Sequence, residues 1–263
     1  MKRTLMTGMK QWAAMAAAAV AMVSVPVAAR ALTCEVTPAK VPITLSYHGA
    51  KLTITGQSAP NDELVLKVST PPTDTEMKYQ GKAGGLFWMK KGSMEFKGVP
   101  VVYLVNSTAR LDLILGEAER QQHQLGYDAM AKDVTVADGK GQPVERKWFE
   151  EFIRFKEKEM VYSIQEGTIT RKQGEKGNAF EVVVDWPYQA PPGVYNVEVM
   201  AVNAGRVVDK AATTFEVERV GITAALSKMA VDQAALYGIM AVVIAMMAGF
   251  AVGAIFKKGG GSH

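Results

Sequence analysis

Apolar and polar residues alternate in short runs between residues 32 and 103. The clearest runs are Ile43–Tyr47, Lys51–Thr55 and Glu63–Ser69, with turn-forming residues between them. A longer stretch from Met77 to Tyr103 has the pattern of a further hairpin. Successive side chains of a strand point to opposite faces, so short alternating runs at this spacing predict the strands of an antiparallel sandwich or barrel.

The apolar spacing changes to that of a helix after residue 108. A first helix is predicted from the positions Leu111, Ile114, Leu115, Ala118 and Leu125. A second helix is predicted to begin at Pro143, and its opposite face is charged. Residues three and four apart share one side of a helix, so the second helix should bury one face against the strands. The residues of that face are Trp148, Phe149, Phe152 and Ile153.

Strand patterns return after Gly167 and continue to residue 218. They cover Thr168–Lys172, Ala179–Asp185, Val194–Met200 and Arg206–Glu218. Because the last strands resemble the first ones, we predict a mainly β fold: an immunoglobulin-like antiparallel sandwich over residues 32–220, with an inserted helical pair at about residues 108–164. Two separate small domains are the alternative interpretation.

The first apolar run has the features of a secretory signal peptide. Lys2, Arg3 and Lys10 precede the apolar stretch from Trp12 to Ala29, and small residues occupy positions 29 and 31. A basic start, an apolar middle and this ending predict a signal peptide over residues 1–31, cleaved after Ala31. An uncleaved membrane anchor is the alternative.

The second apolar run, Ala234–Phe256, contains no charged residue. At about 1.5 Å per residue a helix of this length reaches about 34 Å, enough to cross a hydrocarbon core of about 30 Å. Lys257 and Lys258 follow directly, and basic flanks favour the cytoplasm. We therefore predict a juxtamembrane segment over residues 221–233, one transmembrane helix over 234–256, a cytoplasmic tail over 257–263, and a domain in the periplasm of a bacterium, anchored in its inner membrane.

The positive net charge of the chain comes from these targeting segments. The chain has 30 Lys and Arg residues against 26 Asp and Glu residues. Four of the basic residues lie in the predicted signal peptide and two in the predicted tail, which leaves 24 basic against 26 acidic residues outside the cytoplasm. A domain of about −2 gives no reason to expect a nucleic-acid partner.

Residues that carry chemistry are sparse. Cys34, His48 and His123 have no spacing typical of metal ligands, and nucleophile elbows and phosphate-binding glycine loops are absent from the sequence. We therefore predict no catalytic, cofactor-binding or metal-binding residue, no cofactor, and no enzymatic activity. Cys34 is the one cysteine, so no internal disulfide is expected. An inert, half-buried thiol is the preferred interpretation, and lipid modification is the alternative.

Two groups of residues are candidates for binding. Trp88, Phe96 and Tyr103 either belong to the core or form an aromatic ledge for a ligand. The second group is a helix-contact face in the membrane segment, where small residues recur every four positions. Small residues let a second helix approach closely, which is how helices associate in lipid, so a membrane partner, either a permease or a second copy, is expected there. The helix-contact face consists of Ala241, Ala245, Gly249 and Gly253.

Several segments resemble an uncharacterised family of transmembrane proteins best known from alphaproteobacteria. The resemblance is carried by Gly85–Trp88, Met94–Pro100, Tyr103–Thr108, Gly193–Tyr195 and Tyr237–Gly238. It extends over most of the chain after the signal peptide. The resemblance implies an association with permeases of the sulfite-exporter type, and it implies no activity.

The preferred functional interpretation of these patterns is a non-enzymatic accessory subunit. Its outer domain would sit over a partner membrane protein or present substrate to it. An independent anchored module that binds a cell-envelope ligand through the loops of the sandwich is the alternative. An enzyme is the third and least supported interpretation.

Overall fold

A computed structural model describes residues 32–83, 87–174 and 177–257. The predicted signal peptide and the predicted tail after Lys257 lie outside these residues. Within them the protein is mainly β, with helices between the strands and one apolar helix at the C-terminal end. The predicted fold class is confirmed.

Two sheets form the sandwich, and strands from both ends of the chain contribute to each. The first sheet has the spatial order β1 (Glu35–Thr37), β3 (Ala50–Ser58), β11 (Gly177–Trp186) and β10 (Thr170–Gly174). The second has the order β2 (Lys40–Ile43), β13 (Arg206–Arg219), β12 (Gly193–Asn203), β4 (Glu63–Ser69), β7 (Tyr103–Ser107) and β9 (Tyr162–Gln165). The pairs β2–β13 and β7–β9 are parallel, and the remaining neighbours are antiparallel.

Side chains that alternate inward on both sheets fill one hydrophobic core. Leu52 and Ile54 on β3 are fully buried. Trp186 at the end of β11 crosses to the other sheet, where its ring centroid lies 4.5 Å from that of Tyr195 and 4.8 Å from that of Phe215. The period-two pattern thus places apolar residues between the sheets, as an immunoglobulin-like sandwich requires.

A third sheet lies beside the sandwich. It has the order β5 (Thr73–Ala83), β6 (Phe87–Val99) and β8 (Thr135–Asp138). The strands β5 and β6 form the long hairpin predicted from the alternation after Met77, whereas Tyr103 begins β7 of the sandwich. The hairpin is therefore an insertion between two neighbouring strands of the six-stranded sheet.

The helical insert is more divided than the sequence pattern predicts. The first predicted helix is split into α1 (Leu111–Ile114), α2 (Glu117–Gln122) and α3 (Tyr127–Asp133). Leu115 is extended after α1, and Gly126 has a φ of 101° before α3, so neither position continues a helix. The second predicted helix, α4 (Lys147–Lys158), begins later than Pro143 because residues 143 and 144 pair with β8.

Two helices end the described chain, α5 (Ile222–Asp232) and α6 (Ala234–Lys257). Gln233 has non-helical backbone angles and separates them. Residues Ala234–Ala254 of α6 have a mean hydropathy of 2.3 and are not buried against the rest of the protein. Among the described helices, α6 is the one that is long and apolar enough to cross a membrane.

Candidate functional site

The helix-contact face lies on α6 and is open along its length. Ala241 and Ala245 are exposed. A Cβ atom added to Gly249 or Gly253 would meet no atom within 4 Å outside the helix's own backbone. Gly238 is open in the same way and lies on the same face, because three residues advance a helix by nearly one turn. The face therefore leaves room for another helix.

Bulky apolar side chains occupy the opposite side of α6. Val243, Met247 and Phe250 are exposed and point away from the small residues. This division is a packing asymmetry rather than a polarity difference, because every residue from Ala241 to Ala254 is apolar. In lipid, association follows from close packing, so the small-residue side is the side on which a helix could bind closely.

The three residues of the predicted aromatic ledge do not share one open surface in the described structure. Phe96 and Tyr103 are each 2% exposed and belong to the core. The Tyr103 hydroxyl donates to the carbonyl of Gln124 at 2.8 Å and accepts from the Gly126 N–H at 2.8 Å. Burial raises the pKa of Tyr103 above its ordinary value, and the two hydrogen bonds of its hydroxyl hold the loop before α3. Trp88 lies in β6, and its side chain is outside the described part.

A cleft of about 1100 Å³ with a charged lining lies in the helical insert, and it was not predicted. It lies among α1, α2, α3 and the residue before α4, and the segment after β9 closes it. We call it the insert cleft, and its charged lining residues are Arg110, Asp112, Glu117, Arg120, Asp128, Lys132, Arg146 and Glu166. These residues are scattered over 57 positions of sequence, so no local motif marks the cleft.

Three of the four cations of the insert cleft already have carboxylate partners. Arg110 pairs with Asp112, Lys132 with Glu117 at 2.9 Å, and Arg146 with Asp128 at 2.7 Å. The hydrogen bond from Arg110 holds the pKa of Asp112 below its ordinary value.

Arg120 differs from these three cations because its guanidinium forms no ion pair with the described residues. Its Nε is buried without a hydrogen-bond partner among the described residues. A guanidinium can bind a carboxylate or phosphate through two parallel hydrogen bonds. The cleft could therefore hold a small ligand with an anionic group.

The remaining groups with chemical potential are separated from one another. His48 is exposed, and its Nδ1 lies 2.6 Å from the Ser46 carbonyl. Cys34 is half-buried, and burial raises the pKa of its thiol to about 11. Within the described ranges no three His, Cys, Asp or Glu side chains converge as metal ligands would. Cys34 at this pKa is almost entirely the unreactive thiol at neutral pH.

The model of one known protein family matches this chain. Residues 31–258 match the model of the family described as "Putative transmembrane protein (Alph_Pro_TM)". The match covers the sandwich, the insert and α6, and the chain belongs to this family. A search of curated proteins found no match to the chain.

Proposed function

From this family membership we propose that the protein is a non-enzymatic accessory subunit of a membrane transporter in the bacterial inner membrane. In this proposal the signal peptide is removed after Ala31, the sandwich lies in the periplasm and the chain ends in the cytoplasm. The start of the family match at residue 31 and the basic residues after α6 support this topology. The resemblance of the sequence implies a permease of the sulfite-exporter type as the transporter.

The observation that carries the proposal is the open face of α6. Gly249 and Gly253 have no neighbouring atoms where side chains would be, while Val243, Met247 and Phe250 on the opposite side are bulky, apolar and exposed. A helix that served only as an anchor would need hydrophobicity on all sides and no groove of small residues. Close packing with a partner helix makes use of that groove.

The test replaces both glycines, Gly249→Ile together with Gly253→Ile, in the full chain. Nothing in the described protein would clash with the new side chains, so folding and membrane insertion should be unchanged. Crosslinking in native membranes should recover a specific complex with the parent chain and lose most of it with the double variant. Mass spectrometry of the crosslinked band distinguishes a permease from a second copy of the chain.

The control pair is Val243→Ile together with Met247→Ile, on the bulky side of the same helix. It places the same two isoleucines on the side away from the small residues and should leave the crosslinked complex intact. If the double glycine variant keeps its complex, α6 is only a tether and the accessory role loses its support.

An anchored binding module is the second candidate, and the insert cleft favours it. Arg120 is the specific observation, because a buried guanidinium nitrogen without a partner is expensive unless a ligand or water satisfies it. Arg120→Gln should leave the crosslinked complex intact under the accessory proposal. If it instead abolishes the complex while the glycine variant does not, recognition lies in the periplasmic domain.

A further inference from the structure

One end of the sandwich is the end at which the chain leaves it for the membrane helix. The last strand, β13, ends at Arg219, and α5 follows after two residues. The register places Ile43, the last residue of β2, beside Arg219, and it places the start of β12 opposite Val217. The loop 44–49 after β2 and the loop 187–192 before β12 therefore lie at this end, which we call the exit end.

Large apolar side chains are exposed at the exit end. Leu45 lies in the turn after β2, Tyr188 lies in the loop before β12, and Val194 follows that loop on β12. Met160, the second residue before β9, lines one groove together with Tyr188 and Trp186. Leu45, Met160, Tyr188 and Val194 are all exposed, and we call these four side chains the apolar rim.

Helix α5 continues this apolar exposure toward the membrane segment. Ile222 and Leu226 are exposed, and they lie on one side of the helix because they are four residues apart. Ser227 and Lys228 lie on the opposite side. A helix with one apolar and one polar side is typical of segments that lie along the surface of a bilayer.

The apolar rim is close to any bilayer that α6 spans. Helix α5 has 11 residues, which make about 16 Å of helix at 1.5 Å per residue. Gln233 interrupts the helical backbone between α5 and α6, so α5 need not follow the direction in which α6 crosses the bilayer. Tyrosine favours the boundary between headgroups and acyl chains, and apolar side chains gain from leaving water there. A bilayer surface therefore complements the exposed side chains of this end.

We propose that the exit end of the sandwich rests on the surface of the bilayer that α6 spans. The apolar rim and the Ile222 side of α5 lie in the boundary layer between headgroups and acyl chains. This contact restricts the orientation of the domain over the membrane. It requires α6 to span the membrane but requires neither the accessory role nor a partner on the helix-contact face, so the two proposals can fail separately.

The opposite end of the sandwich provides a matched control position. Leu113 and Leu45 are each 74% exposed. Leu113 lies in α1, near the point where the Gly116 N–H donates to the Gly205 carbonyl of the β12–β13 turn at 3.1 Å. Strand β12 runs from the exit end to this turn, and its 11 residues span about 35 Å. The two leucines therefore differ in their distance from the bilayer and not in their exposure.

The test measures depth with a fluorophore on the full chain in vesicles of phosphatidylcholine, some of whose lipids carry a quencher near the headgroup. Cys34→Ser removes the native thiol, and either Leu45→Cys or Leu113→Cys then carries the probe. The probe at position 45 should be quenched several-fold more than the probe at position 113. Equal quenching at the two positions would overturn the proposal.

A second set of variants separates contact from proximity, because α5 by itself keeps the exit end near the bilayer. The probe is placed at His48→Cys, which is exposed in the same loop as Leu45. Leu45→Glu together with Tyr188→Glu should remove most of its quenching. Leu113→Glu together with Val208→Glu should leave it unchanged, and this control makes the same charge change near the opposite end, since Val208 and Tyr188 are each 56% exposed.

Phosphatidylcholine has no net charge, so repulsion by the lipid does not account for a loss of quenching. Quenching at position 48 that survives the change of the apolar rim would show that the exit end is only tethered near the membrane, which overturns the proposal. A probe that is shielded from water but not quenched by lipid overturns it in favour of contact with a second copy of the chain.

Discussion

Phe96 of β6 and Phe152 of α4 stack with their ring centroids 4.4 Å apart and their planes 25° from parallel. Among the described strands, the three-stranded sheet shares no ladder with the two sheets of the sandwich, so this contact is part of what holds it in place. Phe152 also meets Tyr162 of the sandwich edge to face at 5.8 Å. A single side chain of the insert thus contacts both the hairpin and the main sheet.

We expect Phe152→Ala to lower the free energy of unfolding of the domain by about 3–5 kcal/mol, because it leaves a cavity between the hairpin and the sandwich. Thermal or denaturant unfolding of the full chain in lipid nanodiscs measures this loss. Phe155→Ala is the control on the same helix, since Phe155 is 42% exposed and its loss should cost about 1 kcal/mol or less. Equal effects of the two variants would mean that α4 does not pack as described.

The Tyr195 hydroxyl provides a second prediction. It donates to the Pro191 carbonyl four residues earlier, at 2.5 Å, in the arrangement known as a tyrosine corner. Tyr195→Phe leaves that carbonyl without its partner and should cost about 1–3 kcal/mol. Tyr47→Phe is the matched control, because the Tyr47 hydroxyl is buried without a hydrogen-bond partner. Unfolding of Tyr47→Phe should be unchanged or slightly more resistant, and a loss comparable to that of Tyr195→Phe would contradict this reasoning.

The sandwich could be predicted because its signal is local. Leu52 and Ile54 alternate with polar residues, and this alternation by itself determines which face is buried. The membrane segment could be predicted equally well, because α6 from Ala234 onward is uncharged up to Lys257. The pairing of strands that are distant in sequence leaves no comparable periodic pattern of apolar residues. Nothing in the sequence of Tyr162–Gln165 showed that β9 joins β7 in parallel, so the insert was predicted as a helical pair and this strand was not predicted.

The candidate sites differ in the same respect. The glycines of the helix-contact face recur at a fixed spacing, so the face could be predicted. That no other part of the described protein covers this face could not be predicted from the sequence. The insert cleft depends on three short helices, whereas the apolar spacing predicted a single helix there. Gly116 and Gly126 lie near the breaks, and they were the available signal that the first helix would divide. The position of Arg120 relative to Arg146 could not follow from any local pattern.

His123 provides a prediction about pH. Its Nδ1 lies 3.0 Å from the Lys210 ammonium, its Nε2 lies 3.6 Å from Glu119, and Lys67 donates to its backbone carbonyl. Burial, followed by the positive charge of Lys210, holds the pKa of His123 below its ordinary value of about 6.5, although Glu119 and Glu198 partly oppose this. The ammonium must donate to Nδ1, so the folded protein favours the neutral ring.

A lowered pKa means that the unfolded chain binds the proton more readily than the folded chain. The stability that neutral His123 allows is therefore complete above about pH 6.5 and is lost as pH falls through the lower pKa of the folded state. We expect the difference in unfolding free energy between wild type and His123→Gln to be constant above pH 7 and to move against wild type below pH 6. A difference that moves in favour of wild type in acid would show that Glu119 outweighs burial and Lys210.

The topology of the chain can be tested at the break between α5 and α6. Gln233 lies outside both helices, so a fusion there leaves the sandwich complete and removes the membrane segment. A reporter enzyme that is active only outside the cytoplasm should be active when fused after Gln233 and silent when fused after Lys258. The physical reason is that moving basic residues such as Lys257 and Lys258 across the bilayer is unfavourable, which keeps this end in the cytoplasm. Activity of the second fusion with silence of the first would place the sandwich, and with it the insert cleft, inside the cell.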